Sequence, residues 1–193
     1  MLYFHPYASP CGPLILATTA DQLCFCEWKD SHNYHTVLGR VLSVFQEKKS
    51  CDDDVPKVMK QAIQELNEYF ASSRTTFDVP IRLVGTSFQN SVWKALLSVP
   101  YGRTMTYADM AERVGKSRTS SRSVAQAIGA NPLNIFIPCH RIIGCNGQLT
   151  GYAGGLAAKQ KLLEMERENK AFSTTTPINM PLCIEVLRTV QRT

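Results

Sequence analysis

Four consecutive residues, Pro138-Cys139-His140-Arg141, bring together a thiol, an imidazole and a guanidinium. A cysteine reacts as its thiolate, and a neighbouring base or cation favours that form. Alone the tetrapeptide is ambiguous, because a free cysteine more often behaves as a small buried hydrophobe. Leading in, Asn131-Pro132 is a turn signal, and the apolar run Leu133–Ile137 reads as a short buried strand that Pro138 ends. Cys139 and His140 are thereby expected at the mouth of a strand. Adjacent strand side chains face opposite ways, so their cooperation requires a turn or a bridging water. Leading out, Asn146-Gly147 marks a tight turn, and Gly151-Tyr152-Ala153-Gly154-Gly155 supplies backbone that can approach a ligand closely. A helix from Leu156 to about Glu168 then offers three carboxylates, Glu164, Glu166 and Glu168, among which the sequence does not choose.

The elements around this stretch carry an uneven charge. Through residue 86 the chain has 8 basic and 10 acidic residues, and thereafter 13 and 6. No acid occurs between Glu112 and Glu164, a stretch holding Arg113, Lys116, Arg118, Arg122, Arg141, Lys159 and Lys161. A long one-signed segment points to a polyanion partner. Within it, Thr106-Tyr-Ala-Asp109 has capping-box spacing and opens a short helix that Gly115 ends. After a basic turn, a second helix runs from Thr119 or Ser121 to Ile128. Two short helices joined by a glycine-bearing turn form a helix-turn-helix pattern. Upstream, Thr86-Ser-Phe-Gln89 has the same spacing and starts a helix to about Leu97, after a linker over residues 80 to 87.

The first part of the chain reads as a small α/β unit. Met1–Tyr7, Pro13–Ala17 and Leu23–Trp28 are expected strands, and Thr76–Val79 a last one. Val37 to Phe45 and Met59 to Phe70 repeat at helical spacing, with Lys48–Asp54 a polar connection. The fold expected is an α/β N-terminal domain over residues 1–84, a small antiparallel sheet with helices. A mostly α C-terminal domain with a helix-turn-helix follows over 85–170, then an extension over 171–193 containing an apolar piece from Cys183 to Val190. Cys24, Cys26, His32 and His35 are soft ligands, but their Cys-x-Cys and His-x-x-His spacings fall outside the usual zinc ranges. Two strand cysteines and two exposed histidines are the simpler reading. Seven cysteines in irregular spacing suggest a reducing compartment, cytoplasmic or nuclear. No apolar run is long enough to span a bilayer.

Taken together, Asn131-Pro132, Pro138-Cys139-His140-Arg141 and Gly151-Tyr152-Ala153-Gly154-Gly155 closely resemble the O6-alkylguanine-DNA alkyltransferase family. The resemblance extends to Phe88-Gln89, Val92-Trp93, Pro100-Tyr101-Gly102, Tyr107 to Ala111 and Lys159 to Leu163. Linked motifs are far more specific than any one of them. The resemblance implies transfer of an alkyl group from O6-alkylguanine, and from O4-alkylthymine, in double-stranded DNA to the protein's own cysteine. Each molecule would act once, as a monomer, without a cofactor, although some relatives carry a structural zinc in the N-terminal domain. By the same resemblance Cys139 is the acceptor, His140 its base through a water, and Glu166 the residue that orients His140. Asn131 holds the turn, and Tyr107 donates to the departing guanine. Tyr152, Ala153 and Gly154 line the base pocket. Arg122 fills the gap left by the flipped nucleotide, on a helix in the minor groove. Gln89, Tyr107, Ala108, Lys116 and Cys145 match positions that touch DNA.

Three departures stand out: Ala125 replaces a usual glycine, the loop from Gly115 to Arg122 is one residue longer, and its usual proline is absent. The alternatives are a non-catalytic protein that binds alkylated bases and flags them for another pathway, and a thiol hydrolase on Cys139, His140 and Glu166. Relatives of the first kind lack the cysteine. The second leaves the acid-free stretch and the glycine-rich flank unexplained.

Overall fold

The computed structural model describes residues 1–45, 48–50 and 55–169. The extension from 171, with its apolar piece from Cys183, lies outside the described residues. Strands β1 (Leu2–Ser9), β2 (Gly12–Thr18) and β3 (Leu23–Trp28) form an antiparallel meander. A short strand β4 (Lys48–Ser50) adds in parallel to β1, giving the order β3-β2-β1-β4. The expected polar connection over Lys48–Asp54 therefore begins as an edge strand, because the open edge of β1 offers it backbone partners. Residues 51–54 lie outside the described residues.

All six residues of β3 are buried, because both faces of the sheet are covered. Helix α1 (Tyr34–Leu42) packs Val37 and Val41 with Ala17, Cys24 and Phe25 on one face. Helix α2 (Lys57–Phe70) lays Met59, Ala62, Leu66 and Tyr69 against Leu14 and Leu16 on the other. That second core continues without a break into the C-terminal half, through Trp93, Val124, Leu133 and Leu162.

Two expected strands are not strands. Over Thr76–Val79 the chain is irregular, because the Glu65 carboxylate accepts the amides of Asp78 and Val79 at 3.0 and 3.1 Å. A side chain does there what a sheet neighbour would have done. The linker that follows is fastened to β3: Leu23 N–H donates to the Pro80 carbonyl and Arg82 N–H to the Leu23 carbonyl, both at 2.8 Å. Leu133–Ile137 is buried as expected but turns back on itself, with Ile137 N–H donating to the Leu133 carbonyl at 2.8 Å and Ile135 at φ 74°. A β-branched residue rarely adopts positive φ, so this loop is held by its surroundings. Those surroundings are Asn131, whose Oδ1 accepts from Leu133 N–H at 3.0 Å, and Cys26, which exchanges backbone bonds with Pro132 and Asn134. A run rich in buried apolar residues satisfies a buried turn as well as a buried strand, which is why the sequence misleads here.

Helix α3 (Ser87–Leu96) starts at the predicted capping box, with Thr86 and Gln89 bonding each other's backbone amides. Helix α4 (Tyr107–Arg113) is capped by Thr106, whose hydroxyl accepts from Asp109 N–H at 3.1 Å, and Gly115 at φ 72° follows it. A 3-10 turn (Arg118–Ser120) leads into α5 (Ser121–Gly129). Short strands β5 (Met105–Thr106) and β6 (Ile142–Ile143) pair in parallel, and α6 (Gly155–Glu168) closes the described chain. No helix among the described residues is long and apolar enough to cross a membrane.

Carbonyls in the last turn of α5 are taken up from elsewhere. Trp93 Nε1 donates to Ala127, Asn33 Nδ2 to Gly129 and Arg40 Nη2 to Ala130, at 2.8, 3.3 and 2.5 Å. The Arg40 guanidinium also lies 5.3 Å from the centroid of the Trp93 ring. A cation at a helix C-terminus complements the dipole as well as the carbonyl. Arg40→Ala removes the charged hydrogen bond and the ring contact together, and should lower stability by about 2 kcal/mol, read as a shift in the urea midpoint.

Candidate active site

Cys139, His140 and Arg141 form one turn of 3-10 helix. This turn, not a strand end, fans the three side chains in different directions. All three are buried. Behind them stands α6, on which Lys159, Leu162 and Glu166 follow one another at helical spacing and are fully buried. Glu164 and Glu168 lie off that stripe and are exposed. Helical phase could therefore have picked Glu166 from the sequence, because only it shares a face with Leu162.

Glu166 gathers donors from several segments. Oε1 accepts from Tyr69 Oη at 2.7 Å and Oε2 from Gly102 N–H at 3.0 Å. Arg141 adds Nη2 to Oε1 at 2.8 Å and Nε to Oε2 at 2.9 Å, a bidentate pair, and sends Nη1 to the Val99 carbonyl at 2.6 Å. His140 Nε2 lies 2.9 Å from Oε1. Burial works against the charged carboxylate, yet His140 and Arg141 outweigh it and hold the pKa well below the usual range.

An ionised carboxylate can only accept, so His140 carries its hydrogen on Nε2. That leaves Nδ1 as a lone pair, buried and without a hydrogen-bond partner among the described residues. Burial lowers the His140 pKa, with Glu166 pulling the other way. Near neutral pH the ring is therefore an uncharged base whose tautomer is fixed.

The Cys139 thiol is pushed up to about 11, because burial penalises the thiolate. A hydrogen bond from Asn131 Nδ2 at 3.2 Å opposes the shift, and the same nitrogen donates to the Ile137 carbonyl at 3.1 Å. Lys159 also favours the thiolate. Its own pKa is lowered to about 8 by burial, and its Nζ donates to the carbonyls of Ile142 and Thr150 at 2.5 and 2.8 Å. It thereby ties both ends of the hairpin that carries Cys145.

Cys139 opens onto a cavity of about 320 Å³ lined by Tyr107, Ala125, Tyr152 and Ala153, with His32 and Asn33 from the N-terminal half. Tyr107 Oη accepts from Thr150 Oγ1 at 3.4 Å, and burial raises its pKa, keeping it a donor. Gly154 does not line the cavity. A Cβ there would come within 2.5 Å of the Trp28 indole, so glycine lets Trp28 pack edge-on behind Tyr152, with 5.9 Å between ring centroids.

Residues 87–168 match the family described as 6-O-methylguanine DNA methyltransferase, DNA binding domain, and residues 2–83 its ribonuclease-like domain. The chain belongs to the 6-O-methylguanine DNA methyltransferase family. The methylated-DNA–protein-cysteine methyltransferase of Mycobacterium tuberculosis is 39% identical over 86% of this chain and 93% of its own length. Its namesake in Methanosarcina acetivorans is 37% identical over 86% and 98%. The crystal structure of the M. tuberculosis O6-methylguanine methyltransferase superposes with a TM-score of 0.74 at 37% identity, covering 88% of this chain and 94% of that one. The same mycobacterial protein in complex with DNA also gives 0.74, at 37% identity over 86% and 94%.

The structure thus brings Cys139, His140, Asn131 and Glu166 together, with Tyr107, Tyr152 and Ala153 around the adjoining cavity. The predicted DNA-contacting residues spread over a surface instead. Arg122 and Lys116 are exposed, Cys145 lies exposed on the hairpin, and Ala108 is half-buried on α4. The Gln89 side chain is engaged in the cap of α3. The acid-free stretch is less of a basic surface than its composition suggests. Arg141 and Lys159 are buried, Arg118 pairs with Asp109 and Glu112 at 2.8 and 2.9 Å, Arg113 donates to Ser98, and Lys161 to the Pro10 carbonyl. Cys24 and Cys26 are buried while His32 and His35 are exposed. No cluster of three or more metal-ligating side chains occurs among the described residues.

Sequence reasoning missed Tyr69, Glu27, Trp28, Asn134 and the roles of Lys159 and Arg141. Glu27 had a signal, a charge inside the apolar run Leu23–Trp28. Tyr69 had none, because only the tertiary fold carries α2 to α6.

Glu166→Gln leaves a buried guanidinium without its counter-charge and should cost about 3–5 kcal/mol of stability. The folded pKa of Glu166 lies below its unfolded value of 4.5. Its contribution is therefore complete above that value and is lost as the pH falls from there towards the folded pKa. Urea unfolding from neutral pH down through the carboxylate range should show the variant losing less stability to acid than the unsubstituted protein.

Proposed function

We propose that this chain repairs DNA by moving an alkyl group from the O6 atom of guanine, and from O4 of thymine, to Cys139. The observation that carries the reading is Cys139 on the wall of a cavity of about 320 Å³, next in the chain to an imidazole whose Nε2 meets a buried carboxylate and whose Nδ1 has no hydrogen-bond partner among the described residues. That is the order nucleophile, base and orienter of an activated cysteine.

In this mechanism His140 Nδ1 takes the thiol proton through a water. The sulfur then attacks the alkyl carbon in line with the carbon–oxygen bond. A carbon–sulfur bond forms, the carbon–oxygen bond breaks, and its electron pair leaves with the base. Tyr107 donates a hydrogen bond to the departing guanine, so that the base does not leave with a full unscreened charge. The base then takes up one proton in place of the alkyl group. The thioether has no leaving group, so each molecule reacts once. No cofactor enters, and a monomer suffices.

DNA is the partner, and the target carbon lies inside the duplex, so the nucleotide must be rotated out into the cavity. Helix α5 suits the minor-groove role. Ala125 lines the cavity, and Arg122, three residues earlier on the same helical face, is exposed. In this reading its side chain fills the place of the extruded base. The departure at Ala125 adds a methyl group to the cavity wall and narrows the space for a bulky adduct. The protein acts where DNA is, in the cytoplasm or a nucleus.

Incubated with a duplex carrying O6-methylguanine, the protein should gain the mass of one methyl group per molecule, mapped to Cys139, with no further turnover. Cys139→Ala should gain none, and His140→Ala should transfer at least about a hundredfold more slowly. Tight binding without any gain in mass would sink the transfer reading in favour of lesion recognition alone.

A further inference from the structure

Cys139 Sγ lies between two asparagine side chains that act on its proton in opposite senses. Asn131 donates its Nδ2 hydrogen to the sulfur at 3.2 Å, a bond that favours the thiolate. Asn134 presents Oδ1 at 3.5 Å. An amide oxygen only accepts, so in that contact the sulfur carries the proton. The amide cannot be turned round at no cost. Asn134 Nδ2 donates to the Cys26 carbonyl at 3.3 Å, and a carbonyl has no hydrogen to give. The Asn134 backbone N–H donates to that same carbonyl at 2.8 Å, while Cys26 N–H donates to Pro132. The sharp loop with Ile135 at positive φ is what aims this side chain at the sulfur.

We propose that Asn134 is a proton latch, anchored on β3 of the N-terminal half, that holds Cys139 as a neutral thiol until an alkylated base occupies the cavity. The inference rests on Cys139 being the alkyl acceptor. The groups facing the sulfur are Glu27 and Cys26 from β3, Tyr107 from α4, Tyr152 from the loop before α6 and Lys159 from α6, with His140 next in the chain. Among these groups Lys159 brings positive charge, and Glu27, whose carboxylate is itself hydrogen-bonded by the Asn134 side chain, opposes the thiolate when ionised. Asn134 reinforces that bias by a direct bond. The consequence is a thiol slow to react with small electrophiles and oxidants away from DNA, since those attack the thiolate. Release then falls to His140 Nδ1.

The test is the pH dependence of Cys139 carboxamidomethylation by iodoacetamide in the full chain, resolved by peptide mass from the other cysteines. It is run beside methyl transfer from an O6-methylguanine duplex. Asn134→Ala should lower the apparent Cys139 pKa by about half to one unit, a three- to tenfold gain in thiolate at a given pH. Asn134→Asp, which places a carboxylate in the same position, should raise it. The pH profile of methyl transfer should move the same way in each variant. If Asn134→Asp does not fold, the Asn134→Ala shift decides alone. A folded Asn134→Ala protein whose Cys139 pKa is unchanged overturns the latch, whatever its stability or rate. A shifted pKa in a protein that never takes a methyl group on Cys139 overturns the acceptor reading, and leaves standing only the hold of Asn134 on the thiol proton.

Discussion

One buried carboxylate holds the two halves of this molecule to one geometry. Glu166 accepts from Tyr69 on α2, from the backbone of Gly102, and from His140 and Arg141 on the 3-10 turn. Desolvating a carboxylate alone would cost several kcal/mol. Here the Nε and Nη2 of a permanent cation both bond to it, and the remaining lone pairs meet neutral donors. Each donor is needed because the carboxylate is buried, and each belongs to a segment that must be in place before the others can bond. The site is thereby assembled by electrostatic necessity rather than by the preference of any one element.

The chemistry follows from that constraint. An ionised Glu166 fixes the tautomer of His140, and burial keeps the ring uncharged, so Nδ1 is a base by default. The same burial keeps the thiol protonated. Thiol and imidazole are thus both held in their neutral forms, which a low-dielectric pocket tolerates. Arg141, which the sequence offers as a third polar neighbour of the thiol, serves the carboxylate instead.

The N-terminal half is the back wall of the site. β3 gives the Cys26 backbone to the Asn131–Ile137 loop, Glu27 to the field around the sulfur, and Trp28 to the packing behind Tyr152. Arg40 and Asn33 hold the end of α5. The shared core explains why the residues between the halves are not a free tether. Ile81, Leu83 and Val84 are buried, and the chain there is bonded to β3. A change in β3 should therefore be felt at the thiol, although no residue of that strand belongs to the motifs around it.

Some of this was legible in the chain itself. Capping residues at Thr86 and Thr106, the glycine after α4, and the turn at Asn146-Gly147 act within a few residues, so sequence determines them. The linked motifs around Cys139 likewise carried the family. What sequence could not decide depends on partners far along the chain. Leu133–Ile137 had the composition of a strand, and only the side chain of Asn131 and the edge of β3 made it a turn. The acid-free stretch looked like a DNA surface, but whether a cation faces phosphate or a buried carbonyl depends on which helix face the core claims. Arg141 and Lys159 were claimed by the interior. Local hydrogen bonds are written in neighbouring residues, whereas burial and charge pairing exist only once the chain has folded around them.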